Sequence, residues 1–192
     1  MSRVASTIPP EGAQVPERHP KAPPPGSIIP SHFGHCFGCG DLHPTGLHLV
    51  ATAGEVMDLT ATFTVTLDHQ GAPGLAHGGL LSLAFDEALG KLMWLIRAPA
   101  VTARLETDFL KPVPIGSVLH ITARITGRVS RKVYATAEGR LNSPDGPIAV
   151  TAASLYVVVP MKHFLNNAPK EYLDHVAKHP ELLAVVDPDF EI

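Results

Sequence analysis

The stretch from Gly74 to Leu95, GLAHGGLLSLAFDEALGKLMWL, places the strongest limit on what this chain can fold into. It predicts a helix that is apolar on nearly every side, and such a helix is normally buried all round. Its start has the opposite character, because Gly78 and Gly79 leave the unpaired N–H groups of the first turn accessible. Those donors and the positive end of the helix dipole favour an anion or a polarised oxygen at this point.

Two carboxylates lie in the middle of this helix, Asp86 and Glu87. Glu87 has a simple explanation, because Lys91 lies four residues on and forms a favourably ordered pair. Asp86 has no cation on its own helical face, and a carboxylate in apolar surroundings is a catalytic candidate. The structural alternative is that a distant arginine or backbone donor satisfies Asp86 and that His77 is a satisfied histidine at a helix start. The Gly-Gly start and the lone acid together favour a functional site.

Composition limits the classes of function. With 192 residues, 45% hydrophobic and 17% charged, the chain is most simply one domain with tails. A net charge of −3 without a basic block argues against a nucleic-acid surface. No apolar run is long enough to span a bilayer, and the N-terminus lacks the apolar core of a signal peptide. We therefore expect a cytoplasmic protein with no membrane span.

The chain divides into three predicted parts: residues 1–30, 31–160 and 161–192. The first holds eight of the nineteen prolines and predicts a disordered or extended tail. Because this composition offers little to bury, we expect removal of residues 1–28 to leave activity and thermal stability nearly unchanged. The last part predicts a short helix after Pro169, with a packing role.

Cysteine and histidine residues cluster between residues 32 and 43. Cys36-x-x-Cys39 lies near His32, His35 and His43, a set of side chains that could hold zinc. A second pair at a suitable distance is absent, so all four ligands would have to come from one short loop. The sequence therefore favours a structural, cysteine-containing loop, with no metal and no cofactor.

The rest of the domain reads as strands. Alternating and β-rich runs predict a hairpin over residues 47–67 and, after the helix, strands at residues 101–110, 117–127, 132–141 and 148–159. The segment Asn142–Gly146, NSPDG, predicts a turn in which glycine takes the positive backbone dihedral. Consecutive strands with short links predict an antiparallel sheet with the helix set against it, an α+β fold.

These motifs resemble the hotdog-fold acyl-CoA thioesterases, and more narrowly the phenylacetate-degradation type of the 4-hydroxybenzoyl-CoA thioesterase superfamily. The resemblance covers roughly residues 36–159 and rests on PGLAHGG at residues 73–79 and on the acid nine residues after His77. The loop CFGCGDLHPTGL at residues 36–47 is similar to one in a subset of these proteins, although His43 stands where asparagine is usual.

The resemblance implies an antiparallel sheet wrapped around a long central helix and the hydrolysis of an acyl-CoA thioester without a cofactor. It makes Asp86 the catalytic carboxylate, as general base or as nucleophile, and implies that Thr102 faces it. The N–H groups of Gly78 or Gly79 would supply the oxyanion site, while His77 would be structural. Cations at strand ends would bind the phosphates of coenzyme A: Lys111, Arg128, Arg131 and Lys132.

Two other functions and one question of assembly stay open. The chain could be a non-catalytic module that binds acyl-CoA, or a hotdog enoyl-CoA hydratase. The helical rise places Gly78 and Asp86 roughly 12 Å apart along the axis, too far to reach one thioester carbonyl together. The resemblance implies a homodimer, or a dimer of dimers, in which Gly78 of one subunit faces Asp86 of the other, so that both can reach one carbonyl.

Overall fold

A computed structural model of the chain describes residues 5–179. It consists of one large antiparallel sheet, a small hairpin, a central helix and two C-terminal helices. In chain order the strands and helices are β1 (Ile28–Ile29), β2 (Val50–Ala53), β3 (Asp58–Thr64), β4 (Gln70–Ala72), β5 (Leu75–Ala76), α1 (Gly78–Lys91), β6 (Ala100–Phe109), β7 (Val118–Val129), β8 (Lys132–Leu141), β9 (Ile148–Val158), α2 (Lys162–Asn167) and α3 (Lys170–Lys178).

The large sheet has the strand order β1-β2-β3-β7-β8-β9-β6, and every neighbouring pair is antiparallel. β6 follows α1 in the chain and, among the strands of residues 5–179, pairs only with β9, so it forms one edge of the sheet. β4 and β5 form a separate hairpin that leads into α1. The predicted α+β architecture, an antiparallel sheet around a long central helix, is confirmed.

The central helix is buried because its apolar side chains pack on the concave face of the sheet. Ala84, Phe85, Ala88 and Leu89 are fully buried, and the helix contacts β3, β6, β7, β8 and β9. β8 makes room for it at Gly139, where an added Cβ would lie 2.6 Å from Phe85 Cζ. After Lys91 the chain continues as a short 3-10 helix, Leu92–Trp94, in the same core.

The predicted strands are found close to their expected bounds, but one turn differs. Asn142, and not Gly146, takes the left-handed backbone conformation, with φ of 63°. An asparagine tolerates this region better than most residues. Gly146 is needed for a different reason, because a Cβ there would lie 2.0 Å from the Leu141 carbonyl oxygen. The prediction of the turn was right and the glycine's dihedral was wrong.

The proline-rich segment is extended and lies on the domain. Gln14 exchanges two backbone hydrogen bonds with Arg128, and His19 N–H donates to the Leu95 carbonyl at 2.9 Å. Arg18 Nη1 donates to the carbonyl oxygens of Gly54 and Val56 at 2.8 and 2.9 Å. Ile29, in β1, is buried in the core. Residues 5–28 are mostly exposed, so the segment is held on the domain by these hydrogen bonds, which its composition did not predict.

The C-terminal part begins with two short helices. The helix expected after Pro169 is α3, and α2 precedes it. Val176 of α3 is buried, and the Tyr172 ring meets the Phe33 ring edge-on at 6.5 Å between centroids. Within residues 5–179, no helix is long and apolar enough to cross a membrane.

Candidate active site

Asp86 lies on α1 with one carboxylate oxygen held and the other open. Its Oδ1 accepts hydrogen bonds from Thr102 Oγ1 at 2.9 Å and from Tyr156 Oη at 3.1 Å. Within residues 5–179, Oδ2 accepts no hydrogen bond, and the residue is only half-buried. The structure thus brings Thr102 to the acid, and it leaves one oxygen able to reach a substrate or a water molecule.

Tyr156, in β9, is a member of this site that the sequence analysis missed. Its hydroxyl also donates to the Asp86 backbone carbonyl at 2.9 Å, so it holds both the main chain and the side chain of that residue. Burial, and then the nearby Asp86 charge, raise the pKa of Tyr156 well above its ordinary value, which keeps the hydroxyl protonated as a donor. The sequence offered no signal, because Tyr156 lies in an ordinary apolar strand.

The start of α1 offers one accessible backbone donor. His77 is the residue that caps the helix, and its Nδ1 accepts a hydrogen bond from Gly79 N–H at 2.9 Å. The Gly78 N–H donates no hydrogen bond to any residue between 5 and 179. Of the two glycines predicted to supply an oxyanion donor, Gly78 is therefore the one whose N–H is available, and His77 has the structural contact expected of it.

Asp86 and Gly78 lie at opposite ends of β6. The Asp86 end of α1 is bonded to Thr102, near the beginning of that strand. At the Gly78 end, a Cβ added to the glycine would lie 3.4 Å from Cζ of Phe109, the last residue of β6. α1 therefore runs antiparallel to β6, and a single chain does not bring the acid and the free donor together.

Comparison with known proteins shows which proteins this chain is similar to. The family model of the thioesterase superfamily matches residues 73–145, which include the start of α1, Asp86 and Thr102. The solved structure of a thioesterase superfamily protein superposes with a TM-score of 0.59 at 27% identity, over 64% of this chain and 60% of that one. The chain has the hotdog fold, and its residues 73–145 are similar to the thioesterase superfamily.

Two further proteins are similar to this chain. It is 27% identical over 88 residues to acyl-coenzyme A thioesterase THEM4 of Xenopus laevis, which is 46% of this chain and 39% of that protein. The chain thus matches less than half of that relative's length. A phenylacetic acid degradation-related protein of Ralstonia eutropha superposes with a TM-score of 0.53 at 25% identity, over 58% of this chain and 86% of that one.

The four predicted phosphate-binding cations of this hotdog chain fall into two groups. The first group lies at the β7–β8 turn and consists of Arg128, Arg131 and Lys132. Lys132 pairs with Val157 of β9, and Val157 pairs in turn with Val101 at the beginning of β6. Lys111 follows the other end of β6, where its N–H bonds the Ala149 carbonyl. One chain therefore places three of the cations toward Asp86 and one toward Gly78.

Two open clefts on this chain lie away from the acid. One, of about 420 Å³, lies between residues 44–50 and side chains from the end of β3 and the segment after it. The other, of about 520 Å³, covers the outer face of the sheet around Glu106, Thr136 and Thr151. Neither is lined by Asp86, Thr102 or Gly78, so neither is an acyl pocket for that carboxylate.

A second polar cluster lies on another side of α1. Glu87 does pair with Lys91, but at 3.9 Å, and its carboxylate also lies among His32, Cys36 and Cys39. Burial, and then the neighbouring Cys39, raise the pKa of Glu87 to about 7. The zinc ligands considered from the sequence came from one loop, whereas here the fourth side chain comes from the central helix.

Proposed function

We propose that this protein hydrolyses acyl-CoA thioesters to the free carboxylic acid and coenzyme A. The observation that carries the proposal is the Asp86 carboxylate, which has one oxygen fixed by Thr102 and Tyr156 and the other free. The THEM4 relative is by name an acyl-coenzyme A thioesterase, which supports the substrate class. The residues match that superfamily in the segment that carries both the acid and the helix start.

Thioester hydrolysis needs two things at one carbonyl carbon. The carbonyl oxygen gains negative charge in the transition state, and a backbone N–H at a helix start stabilises it. The carbon must be attacked, either by water that gives its proton to the Asp86 carboxylate or by the carboxylate itself. In both routes the C–S bond breaks and coenzyme A leaves as a thiol after taking up a proton. In the second route the acyl group stays on Asp86 as a mixed anhydride, which water then hydrolyses to the free acid and the restored carboxylate.

The two requirements are met when two chains combine. β6 is an edge strand, and pairing it antiparallel with a symmetry copy about an axis between Leu105 and Glu106 would place the copy's Phe109 opposite Thr102. Because Gly78 adjoins Phe109 and Asp86 adjoins Thr102, this pairing brings the donor of one subunit toward the acid of the other. The dimer would hold two such sites, related by its twofold axis.

The surface at this edge supports a subunit interface. Phe109 and Leu110 leave 53% and 57% of their surface exposed at the end of β6, although both are large and apolar. A strip along α1 is also open in the single chain and is formed mostly of small residues: Gly79, Ser82, Leu83, Asp86 and Gly90. Small residues allow two helices to approach closely, and a long unpaired edge strand is normally covered.

The same pairing would bring the phosphate-binding cations together. Lys111 lies at the Gly78 end of its own subunit, so in the dimer it moves to the Asp86 end of the other. There it would join Arg128, Arg131 and Lys132 around the mouth of one site. Coenzyme A carries several phosphates, and a group of cations drawn from both subunits suits it.

Release of free thiol from a panel of acyl-CoA esters tests the proposal. Thiol and free acid formed in equal amounts by the wild-type protein, and lost in Asp86→Asn, would support hydrolysis. Hydration of an enoyl-CoA without thiol release would favour the hydratase. Tight acyl-CoA binding with neither reaction would favour the binding module. The panel should contain aromatic, medium and long acyl chains, because its best substrate also defines the acyl group.

A further inference from the structure

We propose that His32, Cys36, Cys39 and Glu87 form a structural site for one Zn²⁺ ion, which fastens the loop at residues 31–40 to the central helix. The four side chains each offer one ligand atom, and these atoms all lie within 4.8 Å of one another. Two thiolates, an imidazole and a carboxylate are ligands that zinc accepts, and a closed set of four protein ligands is typical of structural zinc.

The spacing of the ligand atoms fits a tetrahedral ion. Ordinary zinc–ligand distances at tetrahedral angles separate neighbouring ligand atoms by about 3.3 to 3.8 Å. Cys39 Sγ lies 3.5 Å from His32 Nδ1, and Cys36 Sγ lies 3.5 Å from Glu87 Oε2. His32 Nδ1 and Glu87 Oε1 are 3.9 Å apart. Small side-chain adjustments would complete the coordination.

The loop is shaped so that both cysteines face the helix. Gly40 N–H donates to the Cys36 carbonyl at 2.8 Å, which closes a tight turn around the Cys-x-x-Cys pair. A Cβ on Gly40 would lie 2.2 Å from the Gly34 carbonyl oxygen, so only glycine fits. A Cβ on Gly38 would lie 2.4 Å from Glu87 Oε2, so that glycine leaves the path of the carboxylate open.

The surrounding charge also fits an ion. Zn²⁺ with two thiolates, one carboxylate and a neutral imidazole carries a net charge of −1. Lys91 is only 3% exposed, its Nζ donates to the Pro30 carbonyl at 3.0 Å, and it lies 3.9 Å from Glu87 Oε1. Its single positive charge would balance the loaded site, and a buried charge needs such a partner.

A disulfide explains less of this arrangement. Cys36 and Cys39 are free thiols here, and a disulfide between them would not explain why His32 and Glu87 approach the two sulfur atoms.

The position of the site also suits an ion. His32 is exposed, which gives an ion a route into the site. Because Glu87 adjoins Asp86 in α1, an ion held by Glu87 would fix the rotation of the helix that carries the acid. This inference does not depend on the thioesterase activity.

The test measures metal binding on the full chain. The reduced protein is stripped with a chelator and titrated with Zn²⁺ alone and with Co²⁺ alone. We expect one ion per chain, a Co²⁺ spectrum with thiolate charge-transfer bands and tetrahedral visible bands, and a higher melting temperature of the wild-type protein with Zn²⁺. No stoichiometric binding, or a Cys36–Cys39 disulfide that persists under the same reducing conditions, would overturn the proposal.

Variants identify the ligands. Cys39→Ser should abolish the tetrahedral Co²⁺ spectrum, and His32→Gln and Glu87→Gln should each weaken zinc binding by at least about tenfold. His35→Gln is the matched control, because His35 is exposed three residues from His32 and lies outside the cluster. If His32→Gln and Glu87→Gln bind zinc as His35→Gln does, the proposed ligand set is wrong. The zinc-dependent rise in melting temperature is measured on the wild-type protein, so this test holds even if a variant fails to fold.

Discussion

At the scale of single residues, the site depends on how Asp86 is held. Thr102 and Tyr156 come from neighbouring strands, at directly paired positions of β6 and β9, and both donate to the same carboxylate oxygen. Two hydrogen bonds on Oδ1 fix the rotation of the carboxylate, and Oδ2 receives none from residues 5–179. A reacting group held in this way loses little entropy when the substrate arrives.

Replacing Asp86 with asparagine should remove the chemistry and spare the binding. The amide keeps the shape and the contact with Thr102, but it can neither accept a proton nor attack the carbonyl. We expect kcat to fall by about 100- to 10,000-fold while KM changes little. Asp145→Asn, at an exposed turn, is the control and should behave as wild type. A loss confined to KM would mean that Asp86 only binds substrate.

Replacing Tyr156 with phenylalanine should have a smaller effect of the same kind. The ring and its packing remain, and Thr102 still holds Oδ1, but the carboxylate gains rotational freedom. A hydrogen bond to a charged group is worth about 1.5–3 kcal/mol, so we expect kcat to fall by about 10- to 150-fold. Steady-state kinetics on the best acyl-CoA ester measures it, and an unchanged kcat would show that the hydroxyl does not position the acid.

At the scale of elements, the fit of α1 to the sheet depends on a few glycines, which leave room for the helix because they have no side chain. Gly139 of β8 lies under Phe85, and Gly71 of β4 lies under His77, where a Cβ would be 2.6 Å from the His77 Cα. These close approaches set the height and direction of α1. The position of Asp86 therefore depends on glycines that belong to other elements.

The Gly139→Ala substitution should destabilise the protein through overpacking. The new Cβ would lie 2.6 Å from Phe85 Cζ, and forcing it in should cost about 1–3 kcal/mol of unfolding free energy. Denaturant unfolding measures the loss. In a Phe85→Leu background the same substitution should cost less, because the smaller side chain leaves room. An equal loss of unfolding free energy in both backgrounds would show that the new Cβ does not clash with the Phe85 ring.

The proline-rich segment should stabilise the domain. Deleting residues 1–20 removes the Gln14 and His19 backbone contacts and the Arg18 bonds to the carbonyl oxygens of Gly54 and Val56. If these contacts are worth about 2 kcal/mol together, the melting temperature should fall by about 4–8 °C. A truncated protein that melts with the full chain would show that the segment is not held in solution.

At the scale of the whole molecule, the sequence predicted the elements better than their long-range contacts. The periodicity of α1 and the alternation of β6 to β9 are local signals, and the spacing from His77 to Asp86 carried the family motif. Tyr156 and the approach of Glu87 to the cysteine loop depend on which strands and loops meet. No local pattern encodes that information, so both were missed. For the segment before β1, composition predicted a disordered or extended tail but not its hydrogen bonds to the domain.

The assembly of the molecule is the central claim of this account. The single chain separates the free Gly78 donor from the Asp86 acid along β6, and a twofold pairing of β6 would reunite them across subunits. A mixed dimer tests this. Asp86→Asn removes the acid, and Gly78→Pro removes the N–H donor at the first helical position, where proline is well tolerated. Gly78→Ala is the matched control, because it keeps the N–H and its Cβ would lie 3.4 Å from Phe109 Cζ, an ordinary van der Waals contact.

The decisive measurement is thiol release by dimers purified from co-expression of differently tagged Asp86→Asn and Gly78→Pro subunits. Each variant alone should be nearly inactive, the proline variant because losing one oxyanion donor costs about 100- to 1,000-fold in kcat. In the mixed dimer both lesions fall in one site, so the other is intact and activity should return to about half that of the wild-type dimer. Mixed dimers as inactive as their parents, or an active monomer, would contradict the shared site.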